Sequence, residues 1–267
     1  GADGKIPQAL SSLVLGIADR LDTLIGFFSI GIVSKGSKDP YALKRAAFGL
    51  ISLSLALPFP FSVREALSFA YEAYPWRDLS APLIKSKEEA IESVWVFLLE
   101  RFKFFLKNKQ GSPYDHVDAV LSVAYENPAF YDLASRTQAL DKLMKEKEGQ
   151  TLLIAYKRAA HILAIAEAKE DTTYKGKVVE SRLVAPEEIF LFNNLHSKMS
   201  EIESFIEKAD FISAMKSLAP LREAVDSFFD QVTVNDENGS LRENRLQLLA
   251  LFRSTLHRVV DFSKIEA

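Results

Sequence analysis

Apolar residues at three- and four-residue spacing, closed off repeatedly by helix-capping signals, constrain this chain more than any other feature. Leu10, Val14, Ile17, Leu21, Leu24, Ile25 and Phe28 fall on one helical stripe, with Asp19, Asp22 and Gly26 opposite. A second helix is expected to start at Asp39-Pro40, where a carboxylate can accept from free N–H groups and proline suits the first helical position. It ends before Pro58. Ser62 with Glu65 and Ser86 with Glu89 form capping-box patterns. The first of these helices closes at Pro75. The second runs long through Ile91, Val94, Trp95, Leu98, Leu99, Phe102, Phe105 and Leu106, and its basic tail at 107–111 suits a helix C-terminus. Strand alternation is weak throughout, so the expected fold class is all-α.

Composition bounds the rest. A chain of 267 residues can bury one large core or two modest ones, and 48% hydrophobic residues at near-zero mean hydropathy describe a globular protein. No apolar run reaches the ~20 residues of a membrane helix. The opening Gly-Ala-Asp-Gly reads as a cut or tagged start, with the true N-terminus missing and no signal peptide in view. Cysteine is absent, which excludes disulfides, thiolate metal sites and cysteine nucleophiles and fits a cytoplasmic protein. The net charge is −3; residues 1–149 hold 18 basic and 18 acidic side chains and residues 150–267 hold 15 and 18. Any contact with nucleic acid must come from a local patch.

Two basic stretches are candidates for such a patch. Between the first two helices, Gly31 and Gly36 let the chain turn, and Lys35, Lys38, Lys44 and Arg45 put four cations on or just after the loop. They fit a phosphate backbone or a solvated turn. On a helix from Thr151, Leu152, Tyr156, Ala159 and Leu163 form the buried stripe while Lys157, Arg158 and His161 cluster on the other side. That face can offer cations to phosphates and an imidazole to a base, or simply face water. From Asp171 to Ala185 helical period is lost, and Tyr174-Lys175-Gly176-Lys177 reads as a basic, flexible, aromatic segment suited to an RNA loop or to a disordered insert.

Other features read as structural. Asp115, His116 and Asp118 sit on a short helix from Tyr114 to Tyr125 with no third ligand of the right type nearby, so no metal site is expected. A helix from Asn127-Pro128 should fade at Lys145 to Glu148 and stop at Gly149. Pro186 starts a helix, Asp210 caps a short one, and Ser240 with Glu243 forms a capping box. In that last helix Arg245 falls in the apolar stripe and needs an acidic partner, for which Asp226 or Asp230 is the expectation; Arg242 stays undecided between structure and RNA. Phe228 and Phe229 read as core. The chain carries no catalytic triad, and its GSKDP loop lacks the GK(S/T) ending of a phosphate-binding P-loop.

The run from Ile17 to Leu57, IADRLDTLIGFFSIGIVSKGSKDPYALKRAAFGLISLSLAL, resembles the β subunit of the bacterial two-subunit glycyl-tRNA synthetase, which carries a similar ADKLDTL…GSKDP(F/Y)ALRRAALG segment. Three later segments resemble the DALR anticodon-binding domain shared by that subunit and the arginyl-tRNA synthetases. They are AYKRAAHIL from Ala155, LREAVDSFFDQVTV from Leu221 and LRENRLQLL from Leu241. His161 stands where the family usually has Asn, Glu223-Ala224 where it has a small residue and Pro, and residues 235–239 replace a Met-acidic loop. The Ala18-Asp19-Arg20-Leu21 segment also resembles the last helix of HD-type phosphohydrolases, whose aspartate is the final metal ligand. None of the four His, at 116, 161, 196 and 257, precedes Asp19 or is followed by Asp, so Asp19 reads as a helix-pairing or capping group.

The resemblance implies three parts: residues 1–80 as the end of an HD-like body region, 81–149 as a helical connector, and 150–267 as an anticodon-binding helical bundle. It implies the C-terminal part of a subunit that binds tRNA(Gly), including its anticodon, and supports glycine attachment together with an α subunit in a heterotetramer of two α and two β chains. ATP is then used through the α subunit, and this part of the chain needs no cofactor and is non-catalytic alone. Two other readings stand beside it: a remnant HD-type phosphohydrolase, resting on the Asp19 helix, and a helical interaction scaffold without RNA affinity, resting on the near-neutral charge.

Overall fold

A computed structural model describes residues 6–34, 39–76, 84–124 and 128–266. Among them the regular structure is α-helix and short 3-10 turns, with no strand. Contacts divide the chain into two compact units: described residues up to 114 with 124–134, and 115–123 with 135–266.

The first unit packs α1 (Leu10–Ser29), α2 (Leu43–Leu55), α3 (Val63–Glu72) and α4 (Lys87–Gln110) against one another. In α1 the buried stripe is Leu13, Ile17, Leu21, Leu24, Ile25 and Phe28. Leu10 and Val14, expected on it, are 49% and 52% exposed; Leu13 takes the inward position in the first turn. The side chain of Asp39 accepts from the amides of Leu43 and Lys44 at 2.8 and 3.0 Å, as a cap should. The helix nevertheless begins at Leu43, three residues after the expected Pro40, because Ala42 turns into the left-handed region with φ 58°. The Ser86–Glu89 capping box is complete: the Ser86 hydroxyl accepts from the Glu89 amide, and the Glu89 carboxylate accepts from the Ser86 amide at 3.0 Å. Ser62 accepts from the Glu65 amide at 3.3 Å. Along α4, Phe97 is buried besides the expected residues, its ring 5.0 Å from Phe28, while Leu99 and Phe105 are half-buried. Trp95 and Phe102 stack on Phe130, at the start of α6 (Phe130–Lys145).

The second unit holds most of α5 (Tyr114–Leu121), the rest of α6, α7 (Lys147–Glu170), α8 (Pro186–Glu207), α9 (Phe211–Lys216), α10 (Leu221–Gln231) and α11 (Gly239–His257). Helices α7, α8, α10 and α11 form the bundle, with α9 against α8. Leu152, Tyr156, Ala159 and Leu163 are the inward stripe of α7, and Phe228, Leu246, Leu249 and Phe252 close the core from α10 and α11. Three local expectations are corrected. Gly149 does not stop a helix; it lies buried inside α7, where a Cβ would come 2.1 Å from the Leu143 carbonyl oxygen, so the turn from α6 into α7 passes too close for any side chain. The N-cap of α11 is Asn238, whose side chain accepts from the Ser240 and Leu241 amides, not Ser240. Residues 171–185 are an ordered strap across α11, with a 3-10 turn at Glu180–Arg182.

Among the described residues no helix is long and apolar enough to cross a membrane. The division into 1–80, 81–149 and 150–267 stays a proposal; residues 150–266 lie in the second unit together with 115–123 and 135–149.

Candidate nucleic-acid interface

The strap sets the geometry of the second unit's polar surface. The Asn244 side chain accepts from the Val179 amide at 2.7 Å and donates to its carbonyl at 3.1 Å, and Gln247 accepts from the Lys177 amide at 2.9 Å. Gly176, with φ 76°, lets the strap lie against α11; a Cβ there would meet Leu251 Cα at 3.0 Å. Tyr174 is therefore 5% exposed, its hydroxyl donating to Glu170, and its phenol is pushed up to about 12 by burial and that carboxylate. It is a packing residue rather than the free aromatic expected from the sequence. Lys175 and Lys177, on either side of Gly176, are both exposed.

Lys175 shares a shallow hollow of about 360 Å³ with Tyr174, Arg253, Ser254, His257 and Arg258. The cations in it are held in place. Arg253 makes a two-pronged contact with Glu167, 2.9 and 3.3 Å, and donates to the Tyr174 carbonyl at 3.1 Å. That guanidinium holds the Glu167 carboxyl below its usual range. Arg258 pairs with Glu203. His257 Nε2 lies 2.7 Å from the Tyr156 hydroxyl and 3.1 Å from Asp261 Oδ1. Burial pushes its imidazole down and pushes the Tyr156 phenol up to about 12. Lys175 has no hydrogen-bond or ion-pair partner among the described residues. Sequence reasoning found Lys175 but missed the other cations, because their convergence depends on where the strap crosses α11.

On the outer face of α7, Ile154, Arg158, His161 and Ile165 form one exposed stripe at helical spacing. The Arg158 guanidinium sits 4.2 Å above the Phe229 ring, which fixes its plane. Lys157 is half-buried beside it. Arg242 is ion-paired with Glu170 and donates to Asn235, so it braces the strap's base. Arg245 is 8% exposed and does have acidic partners, but they are Glu188 and Asp236 rather than Asp226 or Asp230. Glu188, 1% exposed, also accepts from the Val184 and Ala185 amides at the start of α8, and its pair with Arg245 ties α8 to α11.

In the first unit Lys44 is half-buried and Arg45 exposed at the start of α2. Lys35 and Lys38 lie outside the described residues. Asp19 is neither pairing nor capping: its side chain is 74% exposed and stands 3.6 Å from Arg20. In the Asp115–His116–Asp118 group, His116 Nδ1 lies 2.7 Å from Asp141 and Asp115 accepts from the Glu266 amide. Among the described residues no three His, Asp or Glu side chains gather so as to hold a metal ion.

Comparison with known proteins fits this arrangement. Residues 1–122 match the family described as glycyl-tRNA synthetase beta subunit, and residues 152–267 match the DALR anticodon binding domain. The chain is 36% identical over its whole length to the glycine–tRNA ligase beta subunits of Ruegeria sp. (strain TM1040) and Rhodospirillum centenum (strain ATCC 51521 / SW). It spans 36% of the length of each. The DALR match covers the bundle of α7, α8, α10 and α11 together with the strap, and the chain belongs to the glycyl-tRNA synthetase beta-subunit family.

Proposed function

We propose that this chain is a tRNA-recognition part of a glycine–tRNA ligase, and that its second unit holds the anticodon arm of tRNA(Gly). The observation that carries this is the coincidence of the DALR match over residues 152–267 with an outer surface where Arg158, His161, Lys175 and Lys177 are exposed around a rigid bundle. Exposed cations on a fixed frame attract phosphates, and an exposed imidazole offers a face to an unstacked base. Glycine activation with ATP belongs, in this proposal, to an α subunit, with two α and two β chains in the holoenzyme. The chain itself takes no cofactor and does not aminoacylate alone.

Binding of the chain to tRNA(Gly) at two salt concentrations tests it. Affinity is expected to fall as salt rises, because phosphate contacts release counterions. Absence of binding at low salt would refute the proposal and favour an interaction scaffold.

A further inference from the structure

A cleft of about 910 Å³ opens in the first unit between α1 and α2, with the end of α4 at its edge. Its size is within the range of small-ligand pockets, about 300–1,000 Å³. Three cations line it, Arg20, Arg45 and Lys109, against one carboxylate, Asp19. Arg20 is built into the wall. Its Nη1 donates to the Gly16 carbonyl at 2.7 Å, and its Nε is buried without a hydrogen-bond partner. Two glycines make room for it: a Cβ at Gly49 would lie 2.3 Å from Arg20 Nε, and one at Gly16 would lie 2.9 Å from Leu53 Cδ1 and 3.5 Å from Arg20 Nη1. Arg45 and Lys109 are exposed at the cleft and have no ion-pair or hydrogen-bond partner among the described residues.

A guanidinium fixed in the wall and two unpaired cations lining the same space form an anion site whose own carboxylate offsets only one of the three charges. The cleft also has an aromatic side. Tyr41 lines it, is 50% exposed, and has its ring braced 4.7 Å from that of Phe27. A cation set beside a braced aromatic face suits a phosphate attached to a planar base. We propose that this cleft binds a nucleoside phosphate, with the phosphate on Arg20, Arg45 and Lys109 and the base against Tyr41. The unit can come from a free nucleotide or from a single-stranded RNA segment, since both present the same chemistry. Every residue involved lies in the first unit, so the proposal stands apart from anticodon binding by the second.

The test is an NMR titration of the whole chain, following the Gly16 and Gly49 amides, with adenosine monophosphate, adenosine and an RNA pentamer as probes. Adenosine monophosphate at millimolar concentration is expected to shift both amides, and adenosine is not. Arg45→Gln and Lys109→Gln are chosen because both side chains are exposed and make no ion pair or hydrogen bond among the described residues. Each is expected to weaken adenosine monophosphate binding about tenfold, the loss of one charged hydrogen bond. A pentamer that binds more tightly than the mononucleotide identifies an RNA segment as the source, and the reverse order identifies a free nucleotide; both support the site. If neither adenosine monophosphate nor the pentamer shifts the amides, or if both variants bind adenosine monophosphate as the parent chain does, the proposal falls.

Discussion

Arg245 shows what one buried charge does in this fold. Its guanidinium satisfies Glu188, Asp236 and the Thr233 carbonyl at once. Removing it strips Glu188, at 1% exposure, of its cationic partner. Arg245→Ala is therefore expected to lower the unfolding free energy by about 3–5 kcal/mol in urea titration. Asp236→Asn, at a far more exposed carboxylate, should cost less stability than Arg245→Ala in the same titration. The arginine's burial was legible from its place in the apolar stripe. Its partners were not, because Glu188 is 57 residues away and no sequence periodicity reports a contact between α8 and α11.

His257 supplies a pH dependence at the same scale. Burial holds its imidazole below the ordinary 6.5, outweighing Asp261. Above pH 6.5 both folded and unfolded chains carry it neutral, so it contributes nothing there. As the pH falls through 6.5 the unfolded chain takes the proton first, and stability is lost down to the lowered folded value. His257→Gln should flatten the slope of unfolding free energy in that window. The depressed carboxyls of Glu167 and Asp261 act lower: their contribution is present above the ordinary 4.5 and 3.8 and is lost as the pH falls toward their folded values. The two windows separate in a pH series of urea unfolding curves.

Among the elements, the strap over α11 departs most from its sequence appearance. Residues 171–185 lack helical period and carry lysines and glycine, which is also the composition of a mobile loop. The ordering comes from outside the segment, from Asn244 and Gln247 on α11 and from Arg253, all far along the chain. Gly176→Ala places a side chain at φ 76° and against Leu251, with an expected cost of about 1–2 kcal/mol from the backbone alone. Hydrogen exchange at the Lys177 and Val179 amides should accelerate in that variant; unchanged exchange would mean the strap tolerates the added methyl.

Helix ends were read best where a side chain caps its own helix, as at Ser86 and Asp210. They were misread where the deciding contact is elsewhere. Gly149 resembles a stop signal but serves a close approach to Leu143, and α2 is delayed by the turn at Ala42 although Asp39 caps it as expected. In α1, Leu10, Leu13 and Val14 satisfy the same spacing about equally, so only packing could choose Leu13.

At the scale of the whole chain, the all-α class was legible because capping signals and helical period agree along its length. The proposed interface was legible only as scattered cations. In the proposed role, a net charge of −3 gives no bulk field to draw RNA in, so recognition would rest on the few cations that the bundle leaves exposed. Arg253 and Arg258 are spent on Glu167 and Glu203, whereas Arg158, His161, Lys175 and Lys177 face solvent.

The most direct test of the proposed anticodon binding by the second unit is a titration of the whole chain with two RNA stem-loops, one carrying the tRNA(Gly) anticodon and one an exchanged anticodon. It is repeated with Arg158→Ala/His161→Ala, which alters only exposed positions on α7. The glycine stem-loop is expected to bind more tightly, and the preference to shrink in the double variant. Equal affinity for the two stem-loops, unchanged by the substitutions, would contradict it.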